Sequence, residues 1–536
     1  LHSTTIKNTH QNKRNWIWLA PSSTWSFTAR LTLMMAENLQ LETPFNAPSF
    51  LNYEVYTIKW RASNADDQPD ISGFPSIDHA LYLFDTVKFH LGQNYQFIDE
   101  ETFTSNLEDF YYGIASEKAA ESRLWFVQFL LVLSFGQDFL SRSKTSKEQP
   151  GSKFFTRAMS LLPEPTSPWK DSLIAIEVLS LTGLFLYSIY QRESTQLYIS
   201  QAIRIAQLEG LHTQLPEETL GIKAVACCNL WWTLYMMDRH FSCSVGVPMN
   251  THDTDITTLL DSPSICSQCD ATLGLQVKLS HLLATIVTTV YKSEKTPLGE
   301  FLESTRSILR TLAGHAQEIE RITRFKLQNS VDAVPKDTRG ITLLYHQRNA
   351  ENIPAPLITL IWTGIKSAMK TLQILSSEDS LLEVFLPFEL AYAYGAAIHL
   401  TIVSAIYPFA SDIDLSTQRQ QANSILDDMI HKGSSVAEFV HLESLFEEFT
   451  RCVSDKDFQQ RETLVSIGAN NELSVTDDVT NELELTSMTT LGKTQALNGP
   501  FSETPDNTEF LQNIGISSED FLSVVEQIDS WDELTF

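Results

Sequence analysis

Apolar residues recur every three or four positions through most of the chain, and sustained alternation of Val, Ile and Thr with polar residues is scarce. That pattern predicts an all-α fold. In YISQAIRIAQLEGL, Ile199, Ala202, Ile203 and Ala206 share one helical face, and Gly210 supplies the left-handed residue that ends a helix. A second stripe runs through Leu302, Thr305, Leu309, Leu312, Ala316 and Ile319 in FLESTRSILRTLAGHAQEIERI. Breaker-rich stretches at 66–76, 143–152, 163–168 and 331–340 separate the helices and read as surface loops. No repeat of fixed period is visible, so the expected architecture is a large irregular helical domain built from stacked helical pairs.

Two apolar runs, Leu124 to Leu140 and Leu390 to Ala410, approach the length of a membrane span. The first carries Gln128, Gln137 and Asp138, and the second carries His399 and stops near Pro408. Both read as buried helices, with no membrane partner.

The chain of 536 residues is 43% hydrophobic, enough for a large core. Acidic residues outnumber basic ones 66 to 38, a formal charge of −28. A DNA or RNA backbone would repel such a chain, because nucleic-acid affinity rests on neutralising phosphates with Lys and Arg. Six cysteines, without a signal peptide or an Asn-x-Ser/Thr acceptor, suit thiols in a reducing compartment. The first fourteen residues are polar and without pattern, and the start at Leu1 suggests a fragment.

No phosphate-binding loop, dinucleotide glycine fingerprint, His-Glu-x-x-His pair or nucleophile elbow occurs in the chain. Ser141 to Lys144 form a Ser-x-x-Lys, but in a polar loop where such a match arises by chance. Cys266 and Cys269 form one Cys-x-x-Cys, with His252, Asp253 and Asp255 upstream. A structural zinc site needs four ligands, usually with a second pair, and Cys227 and Cys228 are adjacent on an apolar helix. The expectation is therefore no catalytic, cofactor-binding or metal-ligating residue.

The densest chemistry lies in LWWTLYMMDRHFSCSVGVPM, Leu230 to Met249. As a helix, it sets Trp231, Leu234, Tyr235 and Asp238 on one side and Trp232, Tyr235, Met236 and Arg239 on the next. Tyr235 and Arg239 are four apart, which lets the guanidinium lie on the phenol ring. Asp238 and Arg239 are sequence neighbours that cannot face each other on one helix, so each is expected to find its partner on another helix. A buried aromatic helix is the first reading, with a ligand pocket as the alternative.

This stretch, continued through Asn250 to Ile256, resembles the signature of the fungal-specific transcription factor regulatory domain, the middle homology region of zinc binuclear cluster activators. The family pattern of Trp-Trp, Tyr, Asp-Arg, Gly-x-Pro and Asp-x-Asp-Ile is matched by Trp231, Trp232, Tyr235, Asp238, Arg239, Gly246, Pro248, Asp253, Asp255 and Ile256. Other segments are similar too: PSSTWSF at 21–27, TVKFHLGQNYQFIDEETF at 86–103, AIRIAQLEGLH at 202–212, LLYHQ at 343–347 and FLPFELAYAYGAAIHL at 385–400. The spacing around TVKFHLGQ is most similar to regulators of proline utilisation. Residues 1–20 then read as a linker remnant, 21–465 as the regulatory domain and 466–536 as an acidic tail.

The resemblance implies the regulatory and activation portion of a nuclear RNA polymerase II transcription factor. DNA contact and zinc would belong to an upstream six-cysteine cluster that this chain lacks. A small-molecule inducer bound between helices and a homodimer are further implied partners. The alternatives are a regulator without a cluster that acts through a paralogue, and a helical metabolic enzyme. After Gln347 the sequence RNAENIPAPL departs from the family's apolar helix.

From about Asn470 periodicity is lost, and fourteen Asp and Glu stand against Lys493 alone between residues 471 and 536. Such composition predicts a mostly disordered tail. Its end, GISSEDFLSVVEQIDSWDELTF, embeds apolar anchors among acids: as a helix, Phe521, Val524, Val525, Ile528 and Trp531 line one face. That face suits a coactivator groove, as an activation helix, or a seat on its own domain.

Overall fold

The computed structural model describes residues 4–7, 16–23, 26–27, 29–31, 58–60, 68–92, 95–140, 150–163, 172–214, 224–260, 268–291, 297–329, 358–376, 385–406, 415–431 and 518–534. Its fold is all-α, with one small exception at the start. Strand β1 (Thr4–Lys7) pairs antiparallel with β2 (Trp16–Leu19), in the register Thr4 opposite Leu19 to Lys7 opposite Trp16. These residues fall in the stretch read above as a linker remnant, and the pairing corrects that picture of a patternless start. In WIWL, Ile17 and Leu19 turn inward while Trp16 and Trp18 stay exposed. Four alternating residues are too few to register as a strand until a partner pairs with them.

A first apolar cluster unites α1 (Ile77–Leu91), α2 (Glu100–Tyr112), α3 (Ala115–Glu121), α4 (Arg123–Leu140), α5 (Ser152–Leu161), α6 (Ser172–Ser188), α7 (Arg192–Leu208) and α8 (Ala224–Val245). Helices α4 and α6 carry apolar residues around most of their circumference and are correspondingly enclosed, every residue from Ala175 to Ser188 being buried. Packing passes from neighbour to neighbour: α1 on α4, α4 on α6, α6 on α7, and α7 on α8. Phe155 and Phe185 stack at 4.0 Å where α5 meets α6. In α7 the predicted face of Ile199, Ala202, Ile203 and Ala206 is buried, and Gly210 closes the helix at φ +77°.

A second cluster joins α9 (Gln268–Thr289) and α10 (Leu298–Asn329), and a third joins α11 (Ile358–Leu375), α12 (Phe388–Ile406) and α13 (Ser416–His431). The stripe predicted along α10 is buried at Thr305, Leu309, Leu312, Ala316 and Ile319. The last helix, α14 (Ser518–Leu534), packs along α10 and brings Phe521, Val524, Val525 and Ile528 into the second cluster. No helix among the described residues is long and apolar enough to cross a membrane.

Residues 432–517, which hold most of the acidic tail, lie outside the described residues, as do Ser141 to Lys144, Cys266 and the segment after Gln347. The side chains of Cys269 and Trp531 lie outside them as well.

Candidate functional site

Helix α8 ends where the sequence says it must. Gly246 adopts φ +83°, its N–H donates to the Ser242 carbonyl at 2.7 Å, and Val247 N–H donates to the same oxygen at 3.0 Å. Pro248 is exposed at the turn that follows. The chain then folds back, so that Asn250 to Asp253 cover the second half of α8.

A Cβ on Gly246 would stand 2.2 Å from the Ala20 Cβ and 2.8 Å from the Ser23 Cβ. The Ser23 hydroxyl donates to the Ser244 carbonyl at 2.7 Å, which clamps the 20–23 segment against this helix end. Gly246→Ala is therefore expected to lower stability by about 2 kcal/mol or more, from the left-handed backbone and the displaced segment together. A melting temperature equal to that of the parent would refute this.

Under the returning chain lies a buried polar network. Asp238 is fully buried and Arg239 is 1% exposed. The guanidinium covers the Tyr235 ring at 3.6 Å, as the four-residue spacing predicts. Its Nη1 donates to Asp238 Oδ2 at 3.0 Å, and its Nη2 donates to the Thr251 carbonyl at 3.0 Å and to Asp253 Oδ1 at 2.6 Å. The contact with Asp238 corrects the expectation that these neighbours could not meet, and their further partners, Asn250, Thr251 and Asp253, lie on the returning chain rather than on another long helix. Arg239 has a stem long enough to fold back over its own turn, and the loop crossing above α8 draws both groups to one point.

Asp238 also accepts from Ser242 Oγ at 3.2 Å and from the Asn250 side chain at 2.8 Å and backbone N–H at 3.1 Å. Asn250 Nδ2 reaches Ser200 Oγ at 3.0 Å, and Gln196 Nε2 donates to Ser242 Oγ at 2.9 Å, so α7 is tied into the same network. Trp231 is buried with its ring 5.7 Å from His212, and Trp232 meets Tyr235 edge to face at 5.3 Å.

Beyond Asp253 the network opens into a cavity of about 500 Å³ between α8, α9 and α10, lined by Trp232, Tyr235, Val277, Lys278, His281, Ile308 and His315 among others. Tyr235 Oη donates to Asp253 Oδ1 at 2.8 Å, and His281 Nδ1 lies 3.0 Å from Asp253 Oδ2. Burial alone would raise the Asp253 carboxyl, but hydrogen bonds from His281 and Tyr235 and the charge of Arg239 hold it well below the usual range. The hydrogen bond to Asp253 raises the His281 imidazole, whereas burial lowers that of His315. Burial also pushes the Tyr235 phenol up. Among the described residues that line the cavity, Asp253 is the one carboxylate, and it is already engaged.

The structure thus brings Trp232, Tyr235, Arg239 and Asp253 to one place and leaves Gly246 and Pro248 as the turn that returns the loop. Phe521, Val524, Val525 and Ile528 lie apart from them, in the cluster with α10. Sequence reasoning missed Asn250, Thr251, Lys278, His281 and His315. A signal existed: Lys278 and His281 are three apart and Thr311 and His315 four apart, each pair on one helical face. Nothing in the chain's order reveals that the two faces meet. Among the described residues no group of three or more His, Cys, Asp or Glu is placed to hold a metal ion.

Comparison with known proteins adds the family. The chain is 32% identical over 127 residues to an uncharacterized transcriptional regulatory protein of Schizosaccharomyces pombe, an alignment that covers 24% of this chain and 14% of that relative. The described family, "Fungal specific transcription factor domain", matches residues 81–313, which include α8, the network and most of the cavity. The resemblance drawn from the Trp231 to Ile256 signature is thereby met over that range: residues 81–313 match the fungal specific transcription factor domain.

Proposed function

We propose that this chain is the regulatory and activation portion of a fungal RNA polymerase II transcription factor that works in the nucleus. Its role is regulatory rather than catalytic. DNA contact would come from a zinc cluster on sequence that this chain does not include, and coactivators would be met by the acidic C-terminal helix.

The observation that carries this reading is the seat of α14. Its apolar face, Phe521, Val524, Val525 and Ile528, is buried against the domain, while Glu519, Asp520, Glu526, Asp529, Asp532 and Glu533 belong to the same short helix. Acids in the last turn oppose the helix dipole, and a helix of 17 residues is marginal in water. Docking therefore supplies much of its order. Burying each of the four side chains stabilises the seat by about 1.5–3 kcal/mol, less the entropy of ordering the helix. That is a contact strong enough to hold and weak enough to exchange for a partner groove.

A reporter assay tests it. Residues 501–536 fused to a foreign DNA-binding module should raise transcription at least tenfold over the module alone, and the whole chain fused in the same way should activate several-fold less. Silence from the 501–536 fusion would remove the activation role.

A further inference from the structure

The cavity beside Asp253 has a division of labour in its wall that selects a ligand. Its apolar side is made by Trp232, Val277, Leu282 and Ile308. Its polar side sets Lys278 and His281 beside Asp253. Lys278 Nζ gives two of its three protons to Glu318, at 2.8 and 3.1 Å, and keeps one. His281 turns Nδ1 to Asp253, and the Asp253 carboxylate favours the imidazolium, whose Nε2 is a second donor.

The carboxylates at this wall are already engaged, Glu318 by Lys278. Asp253, the carboxylate that lines the cavity, receives Arg239, Tyr235 and His281. In a chain of formal charge −28, this wall brings two basic side chains together, Lys278 beside Glu318 and His281 beside Asp253. A ligand cation would have to displace those donors, whereas an anion takes up donors that are still available.

We infer that this cavity binds a small apolar carboxylic acid, with its carboxylate on Lys278 and His281 and its hydrocarbon on Trp232, Val277, Leu282 and Ile308. The volume of about 500 Å³ lies within the range of small-molecule sites. Leu282 and Ile308 also belong to the apolar cluster that seats α14, so an occupant presses on side chains that hold the C-terminal helix. That consequence rests on the regulatory reading above; the binding itself does not.

Calorimetry on the whole chain tests the site with three probes of equal length: octanoate, 1-octanol and octylamine. Octanoate should bind at least tenfold more tightly than either of the others. Lys278→Met should bring octanoate down to the affinity of octanol, and Thr311→Trp, which fills the cavity from α10, should abolish binding while the melting transition is kept. Equal affinity for octanoate and octanol, preference for octylamine, no binding of any probe, or unchanged octanoate binding in Thr311→Trp would each overturn the proposal. Because these titrations read no transcription, their failure would leave the reporter result standing, and a silent reporter would leave a measured octanoate affinity intact.

Discussion

Arg239→Met should lower folding stability by about 3–5 kcal/mol, the loss expected when one partner of a buried ion pair is removed. The reason is the carboxylate left behind. Asp238 is fully buried, and without the guanidinium it keeps only the bonds from Ser242 and Asn250. Those neutral donors moderate the penalty, which favours the lower end of the range. The loop also loses its anchor, because Arg239 holds the Thr251 carbonyl and Asp253.

Arg239→Lys should recover little, since one ammonium cannot reach three oxygens in the plane of a fork and lie flat on Tyr235. Denaturant unfolding measures both variants. The double change Asp238→Asn with Arg239→Met should cost less than the sum of the two single changes, as the stranded charge is gone. A single-variant loss below about 1 kcal/mol would mean that the network is ornamental to the fold.

The second large effect is a pH dependence seated in α4. Asp138 is 7% exposed; its Oδ1 accepts the Gly151 N–H at 2.9 Å, and its Oδ2 has no hydrogen-bond partner. Burial raises its carboxyl to about 7, with the Gly151 bond pulling modestly the other way. Between the ordinary carboxylate value and pH 7 the folded chain keeps a proton that the unfolded chain releases. Stability from this group is therefore present in acid and falls as pH rises, by about 1.4 kcal/mol per unit, until it levels off above pH 7.

Asp138→Asn removes that slope. The variant should gain on the parent by about 3 kcal/mol between pH 4 and pH 7, and the difference should level off above pH 7. Measuring a difference matters because His399, which burial lowers to about 4, gives the opposite slope: its contribution is lost as pH falls from 6.5. That term is common to both proteins and cancels. A difference independent of pH would show that Asp138 is ionised in the folded chain.

Much of the fold is legible in the order of residues. The faces of α7 and α10 follow from spacing alone, and so does the end of α8 at Gly246, because helical period and backbone sterics are local properties. The enclosure of α4 and α6 follows from apolar residues around nearly the whole circumference. The Tyr235–Arg239 stack was predictable for the same local reason. The Thr4–Lys7 strand was not, since a strand this short exists only through its pairing with Trp16–Leu19.

For the site, the sequence by itself determined the amphipathic faces, the Trp231 to Arg239 strip, the turn at Gly246 and Pro248, and the apolar face of the last helix. Tertiary structure alone decided who meets whom: that Asn250 and Asp253 return over α8, that Lys278 and His281 on α9 face Thr311 and His315 on α10, and that Phe521 to Ile528 rest on a helix some two hundred residues earlier in the chain. The physical reason is range. Helix formation is governed by neighbours three and four positions apart, while a cavity and a docked helix are made by surfaces whose complementarity is written in shape and charge across the fold and in no local spacing.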